Sequence, residues 1–223
     1  SVTINAKGAV TFDGVGSNGR SSNAFSTVEQ GAFGNGREIN ITANSLSIQN
    51  GAVIGATTRG QGNGGNINVD VNTLKVLNGG QILTTSRNNG NAGNIKVNAT
   101  NSITLSGSDP TFSDRLTRMG RPIVRNQGAA SGLFADTDVN STGKGGDINV
   151  LTRSLSLTDG AQINVSTLGQ GDSSNVTIDS GYLSLNNGAI AANSLSGQGG
   201  NINLRGSDLS LLRNNSTIST RAG

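Results

Sequence analysis

Two acidic residues, Asp136 and Asp138, are the local carboxylate pair of the sequence that could perform acid–base chemistry. Glycoside hydrolysis uses two carboxyl groups of this kind on opposite sides of the scissile bond. Asp70 and Asp179 are further candidates at equivalent positions of two repeats, but two other repeats separate them. The chain has no histidine and no cysteine, which excludes the commonest general base and all thiol chemistry. We therefore expect no enzyme activity and no cofactor, and the alternative is a β-helix that acts on carbohydrate or binds glycans without turnover.

Glycine-rich octapeptides are the second group of residues that could bind a ligand. They read "GNGGNINV" (62–69), "GNAGNIKV" (90–97), "GKGGDINV" (143–150) and "GQGGNINL" (197–204). A phosphate-binding loop needs a Lys followed by Ser or Thr, and Lys144 is followed by glycine. Calcium-binding nonapeptide repeats need recurring acidic residues, whereas Asp147 is the single acidic residue of these four segments. The octapeptides therefore predict tight corners between strands and no metal site.

Four arginines within eleven residues form the third group, and they are Arg115, Arg118, Arg121 and Arg125. They lie in an irregular segment, residues 108–131, that interrupts the repeats and alternates arginine with apolar residues. Insertions of this kind often carry binding sites, so this segment is a possible partner-binding loop. The alternative is a loop that packs its apolar residues on the neighbouring repeat and leaves the arginines in water. A smaller insertion, residues 13–22, leaves the same corner and is expected near the larger one.

The composition predicts the elements that must position these residues. The 223 residues include 34 glycines and only 3% aromatic residues, and the aliphatic residues occur in short alternating runs. Such runs, separated by Asn, Gly and Ser, are typical of strands in an all-β protein. The net charge of +3 comes from 16 basic and 13 acidic residues scattered along the chain, which gives no reason to expect nucleic-acid binding. No apolar run approaches the roughly 18 residues of a membrane span, so we expect no integral membrane segment.

Internal repetition fixes the register of the strands. Ile39, Ile67 and Ile95 follow one another at intervals of 28 residues, and Ile148 follows Ile95 after 53, which is one repeat plus the insertion. Each repeat holds three short apolar pairs that alternate with polar residues, and seven such repeats span the chain. Because one strand cannot bury its apolar face alone, stacked repeats would enclose a narrow aliphatic interior. The sequence predicts a single domain over 1–223, a right-handed parallel β-helix of about seven coils of three short strands.

Two files of Asn and Asp residues are expected to stack along this β-helix. One precedes the first inward residue of each repeat and contains Asn66, Asn94, Asp147, Asn175 and Asn201. The other precedes a glycine at the second corner of each repeat and contains Asn50, Asn78, Asp159 and Asn187. The first file should pass hydrogen bonds from coil to coil, and the second should occupy left-handed turn positions.

With this register, the pattern "GGNINV…LxVxNGGQIxTTS…GNAGNIKV" and the "SGLFADT" of 131–137 resemble the central repeats of filamentous haemagglutinin-like exoproteins of two-partner secretion systems. The resemblance implies a rod that is exported through an outer-membrane partner transporter and acts at the cell surface or outside the cell in adhesion, aggregation or biofilm. It also implies an extracellular glycan or protein receptor. The Asn-Pro-Asn-Gly motifs of the family's secretion domain are not found, so we expect an internal segment and assign no binding residue from the resemblance.

Overall fold

The chain is an all-β protein with a single short helix in a computed structural model that describes residues 1–121, 123–139 and 141–223. The strands are β1 Val2–Asn5, β2 Ala9–Asp13, β3 Asn23–Val28, β4 Ile39–Gln49, β5 Val53–Thr58, β6 Ile67–Leu77, β7 Gln81–Ser86, β8 Ile95–Ser106, β9 Gly132–Thr137, β10 Ile148–Thr158, β11 Gln162–Asn164, β12 Val176–Asn186, β13 Ala189–Asn193, β14 Ile202–Arg213 and β15 Thr217–Arg221. One helix, α1 Phe112–Met119, lies between β8 and β9. No helix among the described residues has the length and apolar character needed to cross a bilayer.

Parallel strands stack into a β-solenoid of seven coils, as the repeats predict. Strands β1, β4, β6, β8, β10, β12 and β14 pair in this order, and β2 also pairs with β4; we call this the long-strand sheet. Strands β3, β5, β7, β9, β11, β13 and β15 pair in the same sense and form the short-strand sheet. Coil 1 comprises β1 to β3, and coils 2 to 7 each comprise one long and one short strand. Every strand thus pairs only with strands of the adjacent coils.

The prediction of three separate strands per coil is wrong beyond coil 1, because the first two segments merge into one strand of 11 or 12 residues. In β6 the side chains of Val71 and Leu74 both point inward, with Asn72 and Thr73 facing out between them. The alternation therefore shifts by one residue while the backbone stays extended. The strand continues through this point without a turn, and its pairing with both neighbouring strands resumes at Thr73, with a register shift relative to β8.

Aliphatic side chains form continuous columns inside the solenoid. Ile67 pairs with Ile95, and Ile95 pairs with Ile148 across the insertion, as predicted. All three side chains are fully buried. The columns contain the bulk of the apolar core, which explains how a chain with so few aromatic residues buries enough surface.

Three apolar residues lie one position away from their predicted register. Phe25 pairs with Gly55, so Ala24 and not Phe25 follows the inward column of Ile54. Leu209 and Leu211 pair with Tyr182 and Ser184, because β14 carries one extra residue at the bend relative to β12. Phe25 instead joins Val53, Leu83 and Phe134 in a second apolar cluster on the outer face of the short-strand sheet.

The insertion covers this outer face. An antiparallel bridge between Ser108 and Ala130 closes its base, in agreement with the predicted limits of 108–131. Ala130 packs against the apolar cluster of Val53, Leu83 and Phe134. Both faces of the short strands β5, β7 and β9 are therefore buried, which makes this side of coils 2 to 4 different from the rest of the rod.

Candidate functional site

The glycine-rich octapeptides form the corner that connects each short strand to the next long strand. The glycines at the first and fourth positions of each octapeptide lie against the backbone of the preceding coil. A β-carbon on Gly93 would collide with the carbonyl oxygen of Gly65, and one on Gly146 would collide with that of Gly93. The third position is less restricted, since Ala92 occupies it in the second octapeptide. Close approach between coils therefore accounts for these glycines.

The first Asn file lies at the end of the same corner, and its hydrogen bonds run from coil to coil. The Asn94 N–H donates to Asn66 Oδ1 over 2.9 Å, and the Asp147 N–H donates to Asn94 Oδ1 over 2.8 Å. Asn175 and Asn201 continue the series over 2.8 and 3.0 Å. Each side-chain oxygen thus accepts mainly from a backbone amide of the next coil, and less from a side-chain amide.

The second Asn file occupies left-handed backbone positions. Its φ angles are 55° at Asn50, 50° at Asn78, 55° at Asp159 and 58° at Asn187. Gly107, with φ 76°, takes the same place in the intervening coil. The Asn78 Nδ2 group donates to Asn50 Oδ1 over 3.1 Å, whereas Asp159 instead accepts from Ser106 Oγ over 2.9 Å. The shared property of this file is the backbone conformation that Asn and Gly tolerate.

The insertion is fixed to the solenoid by polar contacts with several coils. Asn126 is buried, and its Nδ2 group donates to the carbonyl oxygens of Gly51 (3.1 Å) and Gly79 (3.4 Å). The Gln81 Nε2 group donates to Gly128 O (2.9 Å) and Ala130 O (2.8 Å). The insertion is therefore a docked element of the fold and lies across coils 2 and 3.

Arg115 lies inside the insertion and does not face a partner. Its guanidinium forms an ion pair with Asp109, and both side chains are 6% exposed. Burial raises the pKa of Asp109, but hydrogen bonds from Thr111 and Arg115 outweigh burial and hold this pKa below its ordinary value. Arg115 Nη1 also donates to the carbonyl oxygen of Gly19 over 3.4 Å, and Met119 packs against Gly19. The two insertions therefore meet, as the sequence predicts.

The other three arginines of the insertion separate into two environments. Arg118 is exposed on α1, whereas Arg121 and Arg125 lie at the junction between the insertion and the short-strand sheet. Arg121 Nη1 donates to Asn126 O over 2.7 Å, and its guanidinium carbon lies 5.8 Å from the centre of the Phe112 ring. The Arg125 guanidinium carbon lies 5.0 Å from the Phe25 ring centre. The Phe112 ring and Asn126 O thus hold the side chain of Arg121, and the Phe25 ring holds that of Arg125.

Two further arginines, which the sequence analysis did not single out, lie beside Arg121 and Arg125. Arg59 and Arg87 directly follow the paired residues Thr58 and Ser86 at the ends of β5 and β7, so they stack in adjacent coils. By the same pairing, Glu29 precedes Arg59 in the stack and Asp138 follows Arg87. We call Arg59, Arg87, Arg121 and Arg125 the arginine seam. In the sequence, the interval of 28 residues between Arg59 and Arg87, which is one repeat, could have predicted that these two arginines stack.

The seam is electropositive and partly buried. The side chain of Arg87 is 21% exposed, and its Nε atom lies 3.7 Å from the Asp138 carboxylate. Burial, together with the charge of Arg59, lowers the pKa of the Arg87 guanidinium. Arg125 lies 3.9 Å from the Glu29 carboxylate. Gln30, Arg59, Arg87 and Arg121 line an open cavity of about 280 Å³.

The two candidate carboxylates have different surroundings. Asp136 is buried, accepts a hydrogen bond from the Ser166 N–H over 2.8 Å, and lines a cavity of about 470 Å³ with residues that include Gln162 and Asn164. Burial raises the pKa of Asp136 to about 7. Asp138 is 44% exposed and faces Arg87 of the preceding coil. The two side chains therefore contact different coils.

Asp70 and Asp179 lie on the outer face of the long-strand sheet, on strands separated by β8 and β10. Asp70 Oδ1 accepts a hydrogen bond from the Asn98 Nδ2 group over 3.2 Å. The described part of the chain contains no group of three acidic side chains arranged to hold a metal ion.

A scan against protein-family models, a search of the curated proteins and a search of the solved structures each found no match to the chain.

Proposed function

We propose that the chain is a structural shaft of a secreted, filamentous haemagglutinin-like exoprotein that acts in bacterial adhesion, aggregation or biofilm formation. The observation that supports this proposal most directly is the unbroken parallel stacking of seven coils around one aliphatic interior. A stack of this kind is a rod, in which each coil contacts only its neighbours and length is added without a change of cross-section. Its function would be to hold other parts of an exoprotein away from the cell surface.

The corner residues support a structural role for the repeats, because they hold adjacent coils together. Side chains of the first Asn file cross from one coil to the next at successive steps, and the glycines beside them allow the coils to approach closely. These residues satisfy backbone amides at the corner, where the parallel sheets end. The octapeptides thus have a structural use in every coil that contains them.

Secretion through an outer-membrane partner transporter and an extracellular location belong to the same proposal. The absence of cysteine fits export as an unfolded chain, because a disulfide would hinder passage through a narrow pore. The repeats would then fold outside the cell as successive coils stack on one another. An extracellular glycan or protein is the partner expected for such a rod.

The experiment is to place residues 1–223 behind a two-partner secretion domain and express the fusion with its cognate transporter in a Gram-negative host. We expect the rod to reach the cell surface, where added protease cleaves an epitope tag at its end, and to increase cell aggregation. An Ile95→Asp fusion, which disrupts the interior, serves as the matched control. Retention of the unaltered rod inside the cell, or display without any gain in aggregation or adhesion, would contradict the proposal.

A second candidate function is supported by Asp136. A buried carboxyl group with a pKa of about 7 beside a polar cavity is suited to general acid catalysis near neutral pH, so a carbohydrate-active site is the alternative. The test is turnover of a panel of acidic polysaccharides by the purified chain and by Asp136→Asn. The exposed Asp179→Asn variant is the control. Turnover that only Asp136→Asn abolishes would favour this alternative over the shaft.

A further inference from the structure

We infer that Arg59, Arg87 and Arg121 of the arginine seam form a binding site for an oxyanion, meaning a carboxylate, sulfate or phosphate group. The site lies where the insertion meets the corner that follows the short strands. It is a function additional to the shaft, and it depends neither on secretion nor on the family resemblance.

The first reason is the unbalanced charge at the centre of the stack. Glu29, Arg59, Arg87 and Asp138 follow one another in coils 1 to 4, so the two acidic residues lie at the ends and two arginines are adjacent in the middle. Arg125 approaches Glu29, and Arg87 approaches Asp138. The insertion then adds Arg121 beside the same pair. Four guanidinium groups thus share two carboxylates.

The second reason is the set of hydrogen-bond donors that remain without an acceptor. The Nε atoms of Arg59 and Arg87 are buried, and neither has a hydrogen-bond partner among the described residues. Arg87 Nε lies 3.7 Å from Asp138 Oδ2, which is beyond hydrogen-bond range. Buried charged donors are costly when they are unpaired. An anion in the adjoining cavity would offset this cost by balancing the charge of both guanidinium groups. Burial is the largest cause of the lowered pKa of Arg87, and the positive charges of Arg59, Arg121 and Arg125 lower it further.

The third reason is the shape of the space between these residues. The open cavity of about 280 Å³ is lined by Gln30, Arg59, Arg87 and Arg121, so three of its four lining residues carry a guanidinium group. Guanidinium groups present paired N–H donors that match the oxygens of carboxylate, sulfate and phosphate. Arg121 is already held by Asn126 O and by the Phe112 ring, which reduces the entropy that it loses when a ligand binds.

The anion could be a free inorganic ion or an acidic group of a saccharide, and the two sources share this chemistry. An open cavity on the side of a rod admits one group of a long polymer as readily as a small ion. Titration with inorganic phosphate measures the affinity of the site for a free ion. Titration with an oligosaccharide of uronic acids measures its affinity for an acidic group of a saccharide. Tighter binding of the oligosaccharide than of phosphate would assign the site to a saccharide, whereas tighter binding of phosphate than of the oligosaccharide would assign it to a free ion.

The test is isothermal titration calorimetry of the purified chain at constant ionic strength. We expect one saturable site, with affinity weakened about tenfold or more by Arg59→Gln and by Arg87→Gln. Arg118→Gln, which removes the same charge from an exposed position of the insertion, should leave the affinity within a factor of about two. Arg153→Gln, an exposed arginine of β10, is the control on the other sheet.

Thermal unfolding distinguishes anion binding by Arg59 and Arg87 from a purely structural role of these two arginines. Because Arg59 and Arg87 repel each other, Arg59→Gln should melt at the same temperature as the unaltered chain, or higher, when no anion is present. Phosphate or the oligosaccharide should raise the melting temperature of the unaltered chain and not that of Arg59→Gln. The inference is overturned if no ligand binds saturably, if Arg118→Gln weakens binding as much as Arg59→Gln, or if Arg59→Gln unfolds at a lower temperature without anion.

Discussion

The carbonyl oxygen of Gly65 occupies the place that a β-carbon on Gly93 would need. We expect Gly93→Ala to force the two coils apart locally and to lower the free energy of unfolding by about 1–3 kcal/mol. The control is Gly145→Ala, because the equivalent position of the preceding coil already holds Ala92 and the new β-carbon would lie 3.1 Å from Ala135 O. Urea denaturation followed by circular dichroism compares the two. Equal stability of the two variants would contradict a role for close approach at the octapeptides.

The aliphatic columns predict a large effect of a buried charge. Ile95 pairs with Ile67 and Ile148 and has no exposed surface. We expect Ile95→Asp to cost more than about 3 kcal/mol, since an ionised carboxylate in this interior has no partner. Lys96→Asp introduces the same side chain at the neighbouring exposed position, where surface changes cost about 0.5 kcal/mol or less. An unchanged melting temperature of Ile95→Asp would contradict the register.

The columns could be predicted because residue type alone reports them: Ile67, Ile95 and Ile148 are all isoleucines, and a fixed interval separates the first two. The merging of the first two strand segments could not be predicted in this way. At Asn72 and Thr73 the strand bends with ordinary extended backbone, so no Gly or Pro marks a continuation or a break. Gly8, Gly181 and Gly206 lie at this point in other coils, yet only at Gly8 is the chain divided into two strands, so a glycine does not distinguish a bend from a break.

The left-handed corner positions predict a difference between two substitutions of Asn78. With φ 50°, this residue has a backbone that glycine adopts freely and that a β-branched side chain resists. We expect Asn78→Val to lower the stability by about 1–3 kcal/mol and Asn78→Gly to change it by a few tenths. Gly107, which holds the same position one coil later, supports the tolerance of glycine. Thermal melts of both variants check this, and a Val variant as stable as the Gly variant would contradict it.

Asp136 predicts a pH dependence of stability. Its pKa rises from 3.8 to about 7 on folding because burial disfavours the charged form. The folded chain therefore holds this proton more tightly than the unfolded chain does, so the stabilisation is fully present below about pH 4 and is lost as pH rises through about 7. The free energy of unfolding changes by about 1.4 kcal/mol for each unit by which the pKa differs between the folded and the unfolded chain.

The measurement is the free energy of unfolding at several pH values between 4 and 8 for the unaltered chain and for Asp136→Asn. The fall in stability with rising pH should be smaller in Asp136→Asn, whereas Asp179→Asn, at an exposed position, should keep the full slope. Identical slopes for the unaltered chain and Asp136→Asn would show that this carboxyl group does not hold its proton on folding.

The candidate site shows what a repeat pattern cannot convey. The arginines of the insertion form a cluster in the sequence, but their surroundings in the structure differ. Arg115 is buried against Asp109 and Gly19, whereas Arg121 donates to Asn126 O. Arg59 and Arg87 look like isolated corner residues until the insertion is placed beside them. The docking of residues 108–131 onto coils 2 and 3 depends on Gln81 and Asn126. Gln162 holds the register position of Gln81 two coils later, so the repeat pattern does not distinguish the glutamine that binds the insertion.

The contacts of the insertion also determine how the rod would respond to mechanical force. Because hydrogen bonds join each coil only to its neighbours, tension between the two ends would peel coils away one at a time, and each released repeat of 28 residues would add roughly 90 Å of extended chain. Arg115, Asn126 and Gln81 clamp coils 1 to 3 to the insertion, whose base lies in coil 4. Coils 5 to 7 lie outside this clamp, so they should separate at lower force than coils 1 to 4 and act as an extensible tether beside a rigid part of the rod.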